Sequence, residues 1–443
     1  MKQFITVLLV IFFLIAPLTA SEGFSLIFDE EVAIEKESSP AFDISGNLST
    51  GMNTFVDIDN PLKSETNAFA DLSFSLNYTH PFLGGNVELF LPALEEKTPT
   101  YKDIIKELSL SYYLPNGKIQ AGYFIHRWGV VDTARVVDVI NANDYSSGLS
   151  MDQREMKISE PMILTQLYFD KSQLELIYKP IFTPIQIATE GRWNTIPDIS
   201  GFLTINSSTD FLEPNIKTLE YGSFGTRYAI SLGSVDTAIM YYRGYYERPG
   251  YKYTFTPALI PPFDVTSVET IYTKMNIIGA EANYVTGPFT LAFEGAYYLS
   301  EDKDGTDSTL YNSKLSYIGS LSYMIGGTTS YITASYNGSS IFDYDDTNAM
   351  DVDATSGPKQ DHNIIVGFHI PLFKEKLLVE AGLTYQIPTQ GYALLARLDY
   401  TLKDDITLSL NGNLFGTFDN NEESMYKNWD SNDLLSITLK YQY

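Results

Sequence analysis

From about residue 42 to the C-terminus, apolar and polar residues alternate in runs of roughly ten, the pattern of strands with one apolar face. In 405–418, Ile406, Leu408, Leu410 and Leu414 fall on one face and Thr407, Ser409, Asn411 and Asn413 on the other. Leu377, Val379, Ala381, Leu383, Tyr385 and Ile387 stand against Glu380, Thr384 and Gln386. Ala68, Ala70, Leu72, Phe74, Leu76 and Tyr78 stand against Asp71, Ser73, Ser75, Asn77 and Thr79. About 18 such strands can be counted, as many as a large membrane barrel uses. A soluble sandwich, β-helix or propeller alternates for its packed core. A transmembrane barrel alternates because one face meets lipid and the other a lumen.

Connection lengths separate these readings. Tight turns are predicted at 83–86, 115–118, 170–173, 233–236, 286–288, 326–327, 374–376 and 403–405. Longer excursions are predicted at 60–66, 93–103, 129–162, 182–222, 248–268, 300–310, 341–361 and 418–432. Only the connection at Pro388-Thr389-Gln390 is short where a long one is due. Strict alternation of turns and loops is what an outer-membrane barrel requires, and a soluble sandwich has no reason to keep it. The expectation is all-β: a transmembrane antiparallel up-and-down β-barrel of about 16–18 strands over residues 42–443.

The ends of the chain agree with export. Lys2, an apolar run over 4–15 and Ala16-Pro17-Leu18-Thr19-Ala20 read as a secretory signal peptide, 1–20, cleaved near Ala20. The run is shorter than the roughly 20 residues of a spanning helix, and no later segment reaches 18 consecutive apolar residues. Residues 21–41, with Asp29, Glu30, Glu31, Glu35 and Glu37, are expected as a periplasmic N-terminal segment, either a docking stretch or a disordered leader. At the other end, Leu435, Ile437, Leu439, Tyr441 and Tyr443 alternate with Ser436, Thr438, Lys440 and Gln442. This resembles the C-terminal assembly signal of outer-membrane barrels, with Tyr where that family usually ends in Phe. The resemblance implies the outer membrane of a diderm bacterium, with outer-membrane lipid and the barrel-assembly machinery as partners.

Composition narrows the chemistry. With no Cys among 443 residues there is no thiolate metal site, Cys nucleophile or disulfide scaffold. A formal charge of −26 speaks against nucleic acid as a partner, because phosphate recognition rests on clustered Lys and Arg. Tyr (32) and Phe (26) far outnumber Trp (3), as sheets and interfacial girdles favour. His80, His126, His362 and His369 are the only histidines, and neither G-x-S-x-G nor H-E-x-x-H occurs, so no catalytic residue, enzyme activity or cofactor is expected. Asp343, Asp345, Asp346, Asp351 and Asp353, and Asp302, Asp304 and Asp307 around Gly305, lack the twelve-residue calcium-loop spacing. They read as solvated acidic loops, with no metal site.

A charge on the lipid face costs about 2–4 kcal/mol at the midplane, so strand charges are assigned to the lumen. These are Arg227, Arg243, Arg397, Lys179 and His126, with Asp71, Glu88, Glu107, Glu175, Glu380 and Asp399. Within 129–162, Val136, Val137, Val139 and Ile140 form an apolar run that would be costly to expose, so this segment is the candidate constriction loop, folded inward. Four of the eight arginines, Arg127, Arg135, Arg154 and Arg192, lie in this region and the next long loop. The candidate pore residues are Arg127, Arg135, Asp138, Asp144, Arg154, Lys157, Arg227, Arg243, Glu380, Arg397 and Asp399. Arg135 and Asp138, spaced i, i+3, would share one face of a short helix.

The expected function is a porin-like channel passing small polar or anionic solutes through an aqueous lumen. Two alternatives share the fold: a surface barrel whose loops 182–222 and 341–361 bind a host or partner ligand, and an export conduit with a periplasmic partner. Gly122, Trp128-Gly129 and Asn141-Ala142-Asn143-Asp144 resemble the G-x-Q…WG…N-P-x-D pattern of a porin-like family related to the alginate-export barrels and to barrels associated with lipid export. Tyr123, Phe124 and Ala142 depart from that pattern. The resemblance implies a single-chain, large-bore barrel with an inward-folded loop.

Overall fold

The computed structural model describes residues 40–56, 64–93, 101–194, 203–256, 263–326, 328–348, 350–418 and 424–443. The signal peptide expected at 1–20, and all but the last two residues of the N-terminal segment expected at 21–41, lie outside the described residues.

The strands follow the alternation. The first seven are β1 (Ala41–Phe55), β2 (Glu65–Thr79), β3 (Leu83–Pro92), β4 (Ile105–Leu114), β5 (Gly117–Phe124), β6 (Glu160–Phe169) and β7 (Ser172–Lys179). Next come β8 (Leu203–Thr204), β9 (Asp210–Leu212), β10 (Ser223–Leu232), β11 (Val235–Tyr245), β12 (Gly250–Phe255), β13 (Phe263–Ile271), β14 (Lys274–Thr286) and β15 (Phe289–Ser300). The chain ends with β16 (Lys314–Met324), β17 (Tyr331–Ile341), β18 (Gln360–Leu372), β19 (Leu377–Gln386), β20 (Gly391–Lys403), β21 (Ile406–Thr417) and β22 (Leu434–Gln442).

All but β8, β9, β12 and β13 join one 18-stranded antiparallel sheet in chain order, and β1 pairs with β22 to close it. Across the seam Gly46 and Tyr443 exchange N–H to carbonyl bonds of 3.0 Å each. Closure leaves no unpaired strand edge, which a sheet in lipid could not tolerate. The four remaining strands form a small separate sheet, in which β8 and β9 pair in parallel with β13.

Turns and loops alternate as expected, and the link from Gln386 to Gly391 is the short exception. One turn lies elsewhere: 83–86 is strand, and His80-Pro81-Phe82 makes the bend. Gly84 there serves packing rather than turning, since a Cβ on it would come within 2.7 Å of the Tyr113 hydroxyl.

The outer face carries the apolar stripe. On β15, Leu291 and Phe293 are exposed while Glu294, Ala296 and Tyr298 on the opposite face are buried. On β22, Leu435, Ile437, Leu439 and Tyr441 point outward, and the Tyr443 hydroxyl donates to the Ser73 carbonyl at 3.3 Å. The inner face is not uniformly polar. Met162, Leu164, Ile177, Met240, Met275 and Ile277, from β6, β7, β11 and β14, bury themselves inside the barrel with Phe124, Trp128, Val137 and Ile140. One side of the barrel is therefore a packed core.

Candidate pore and the loop that crosses it

The 125–159 connection between β5 and β6 supplies the apolar side chains that fill that half. Its root is one asparagine. Asn141 Nδ2 donates to the carbonyls of Phe124 (3.1 Å) and Ile158 (2.9 Å), and Oδ1 accepts from His126 N (2.8 Å), so the entering and leaving strands are tied at one point. Glu160, fully buried, accepts from Ala142 N (2.8 Å) and pairs with Lys179 (2.8 Å), which donates to Ile140 O (2.5 Å). The Trp128 indole and the His126 ring both meet Glu175 Oε2, at 2.8 and 3.0 Å. Gly225 makes room, since a Cβ there would sit 2.8 Å from the indole.

The outward half of the loop is organised by Glu294 of β15. Its Oε1 accepts from Val130 N and Val131 N, both at 2.8 Å, and its Oε2 from Val136 N (2.9 Å) and Val137 N (3.4 Å). The segment wraps around a carboxylate instead of forming the helix expected for Arg135 and Asp138. Gly129, at φ 106°, begins the wrap where a Cβ would lie 2.7 Å from that carboxylate.

Beyond this anchor the loop reaches opposite walls. The Thr133 hydroxyl lies 2.7 Å from Ser335 Oγ on β17. Arg154 contacts Glu88 on β3 (3.0 Å) and Glu107 on β4 (3.5 Å). β4 and β17 are nine strands apart in the ring of 18, so the loop spans a diameter. Gln153 joins its two arms, accepting from Arg127 (2.5 Å) and donating to Asp132 O (2.8 Å).

Nine of the eleven expected pore residues divide into two groups, with Arg135 and Arg243 apart from both. Arg127, Asp138 and Lys157 form a triad within the loop, with Asp138 Oδ2 at 3.4 Å from Arg127 and 3.5 Å from Lys157, and Asp138 only 4% exposed. Arg227 is taken up by Glu281 and Glu175. Asp144 receives Ser146 N (2.9 Å) and Oγ (2.6 Å), so it shapes a turn. Each of these five is engaged in holding the loop or the wall. Arg135 donates to Val131 O (3.1 Å) and meets Asp132 at 3.9 Å. Arg243 is a plain correction. It lies on the outer file of β11 with the exposed Ile239, opposite the exposed Phe224 of β10, while Met240 and Tyr242 take the inner file. It sits two residues from the loop end of its strand, where a long cation reaches the interface.

The second group stays in contact with water. Arg154 is 48% and Arg397 40% exposed at the side chain. Arg397 pairs with Asp399 at 2.6 Å and is in register with Glu380, which His369 Nδ1 meets at 2.7 Å. Around them β21, β22 and β1 turn Ser409, Asn411, Ser436, Thr438 and Asn47 inward. At the loop end of this sector, Trp429 and Tyr426 pack on Phe415 and Ala393, with Trp193 and Leu149 against them. Arg192 fixes that rim by pairing with Glu65 and stacking 3.8 Å over Phe55.

Sequence reasoning missed Glu160, Glu281 and Glu294. Their signal is a carboxylate in an inward file of apolar or small residues, such as Ala292, Glu294, Ala296, where only a partner could justify the charge. The acidic loop after β17 is also less solvated than expected. Asp351 and Asp353 are buried: Asp353 accepts from Asn312 N (2.8 Å) and Asp351 from Asp353 N (2.9 Å). Burial pushes the Asp353 carboxyl up to about 6.

No protein-family model matches this chain, and no curated protein matches it. Among solved structures, it is similar to Pseudomonas aeruginosa OccK8 (OprE) at 12% identity, covering 91% of this chain and 97% of that one, with TM-score 0.49. It is similar to Pseudomonas aeruginosa OccK10 (OpdN) at 11% identity, 90% and 98% coverage and TM-score 0.47. It is also similar to the outer membrane channel DcaP of Acinetobacter baumannii, at 10% identity, 93% and 99% coverage and TM-score 0.44. At these identities the likeness is one of fold.

Proposed function

We propose that the chain is an outer-membrane diffusion channel for small polar solutes, its bore narrowed by the 125–159 loop to the sector from β17 through β22 and β1 to β4. The observation that carries this is the unequal treatment of charge inside one barrel. On the loop's packed side, inward carboxylates such as Glu160, Glu281 and Glu294 are sealed from water and partnered. On the other side Glu88, Arg154, Glu380 and Arg397 keep water contact, although an apolar filling was available to the same fold. A wetted, charged inner surface beside a dry one supports a conduit rather than a solid plug.

Residues of the resemblance do structural work at the loop root. Gly122, at φ 147°, could not carry a Cβ, which would lie 2.1 Å from Leu108 O; Trp128 and Asn141 pin the loop as described. Kinship with inward-loop barrels of the alginate-export type is part of this proposal, as are export by the 1–20 leader and insertion by the barrel-assembly machinery through the terminal stripe ending at Tyr443.

Swelling of liposomes containing purified protein tests the channel. Small sugars should enter far faster than a trisaccharide. Swelling no faster than in protein-free liposomes, for every solute, would overturn the proposal.

A further inference from the structure

Resting on the channel reading, the charges along the wetted crossing point to its preferred solute. Taken together, the arginines there meet more carboxylate than they can neutralise. Arg154 stands between Glu88 and Glu107. Arg397 pairs with Asp399 and has Glu380 beside it in register. Arg135 meets Asp132, whose side chain is 85% exposed. Glu155, exposed next to Arg154, is held by the Ser150 hydroxyl at 2.6 Å. Six carboxylates thus stand with three guanidinium groups along the crossing. His369, bonded to Glu380, adds one positive charge when protonated and leaves the carboxylates in the majority. Lys118, linked to Glu107 through Gln120 and Ser109, and Lys440, in register with Asp71 through Ser49, add two ammonium groups; Asp43 and Asp71 on the inward files of β1 and β2 add two carboxylates, so the excess stands.

Inside a low-dielectric wall an excess of fixed negative charge raises the local concentration of counter-ions. We infer that this crossing selects for small cations, amines included, over anions. The clustering of arginines along the chain suggested the reverse, but Arg127 and Arg227 are consumed by buried carboxylates, Arg192 holds the rim and Arg243 points away from the bore.

Reversal potentials in a planar bilayer under a potassium chloride gradient decide it. The wild type should pass potassium over chloride by about threefold or more, the order expected of a focused field. Glu155→Gln with Glu380→Gln should roughly halve the ratio, and Arg243→Gln should leave it unchanged. Acidifying the wild-type chamber to about pH 4, where carboxylates protonate, should also lower it, independently of any variant's folding. Chloride preference, or a ratio indifferent to both changes, would overturn the inference and leave the channel intact. Absence of any current would instead overturn the channel reading.

Discussion

Glu294 shows what one residue can decide. Its carboxylate receives four backbone N–H groups from the loop, and a hydrogen bond to a charged acceptor contributes about 1.5–3 kcal/mol. Glu294→Gln keeps the shape but turns an amide N–H₂ toward two of those donors. It should loosen 130–137 by about 2 kcal/mol, read as a fall of roughly thirtyfold in hydrogen-exchange protection there. Unchanged protection would mean that the wall does not hold the loop. Asp353 makes a different prediction. Burial raises its pKa from 3.8 to about 6, so the folded loop binds that proton more tightly than an unfolded one. The charge penalty is then fully present above pH 6, relieved as pH falls through that value, and gone below about 4. Protection of 302–312 and 350–356, corrected for intrinsic rates, should therefore rise between pH 7.5 and 5, and Asp353→Asn should remove most of the change, the rest falling to the buried Asp351, whose carboxyl is raised in the same direction. At this scale the sequence was a partial guide: Arg397 and Glu380 were legible because clean alternation fixed their face. Arg243 was not, because on β11 Ile239 and Tyr241 share its file while Met240 and Tyr242 fill the other, so hydrophobicity favours neither side.

Among the elements, the strands were legible and the loop's interior was not. Period-two alternation is a direct imprint of a sheet between two media, and it located turns and loops alike, except where Gly84-Gly85 imitated a turn. The apolar run from Val136 to Ile140 suggested an inward fold for 129–162, but the partners of this segment lie on strands far away in sequence, so no local pattern announces them. β14 illustrates the cost: Met275, Ile277 and Ile278 leave its two faces alike until the loop is placed between them and water. The junction with β6 and β7 rests on the buried pair of Glu160 and Lys179. Removing one partner of such a pair strands the other charge and costs about 3–5 kcal/mol, while replacing both can be nearly neutral. Lys179→Met should therefore lower the temperature at which the barrel loses its heat-modifiable gel mobility, and Lys179→Met with Glu160→Met should recover most of the loss. A double variant as weak as the single one would refute this role for the pair.

For the whole molecule, a hydrophobic share of 44%, ordinary for a soluble protein, reflects a wall apolar on its outer face and, on its inner face, packed on one side and polar on the other. The net charge of −26 agrees in sign with the carboxylate excess along the wetted crossing. On the proposed reading the loop stays across the bore while solute passes beside it. Because the chain has no cysteine, Thr133→Cys with Ser335→Cys introduces a single possible disulfide between loop tip and β17, at side chains whose hydroxyls lie 2.7 Å apart. The pair should cross-link on mild oxidation, with the same single-channel conductance in the oxidised and reduced states. A channel silent when oxidised and conducting only after reduction would show that the loop must leave for solute to pass, and would contradict the arrangement described.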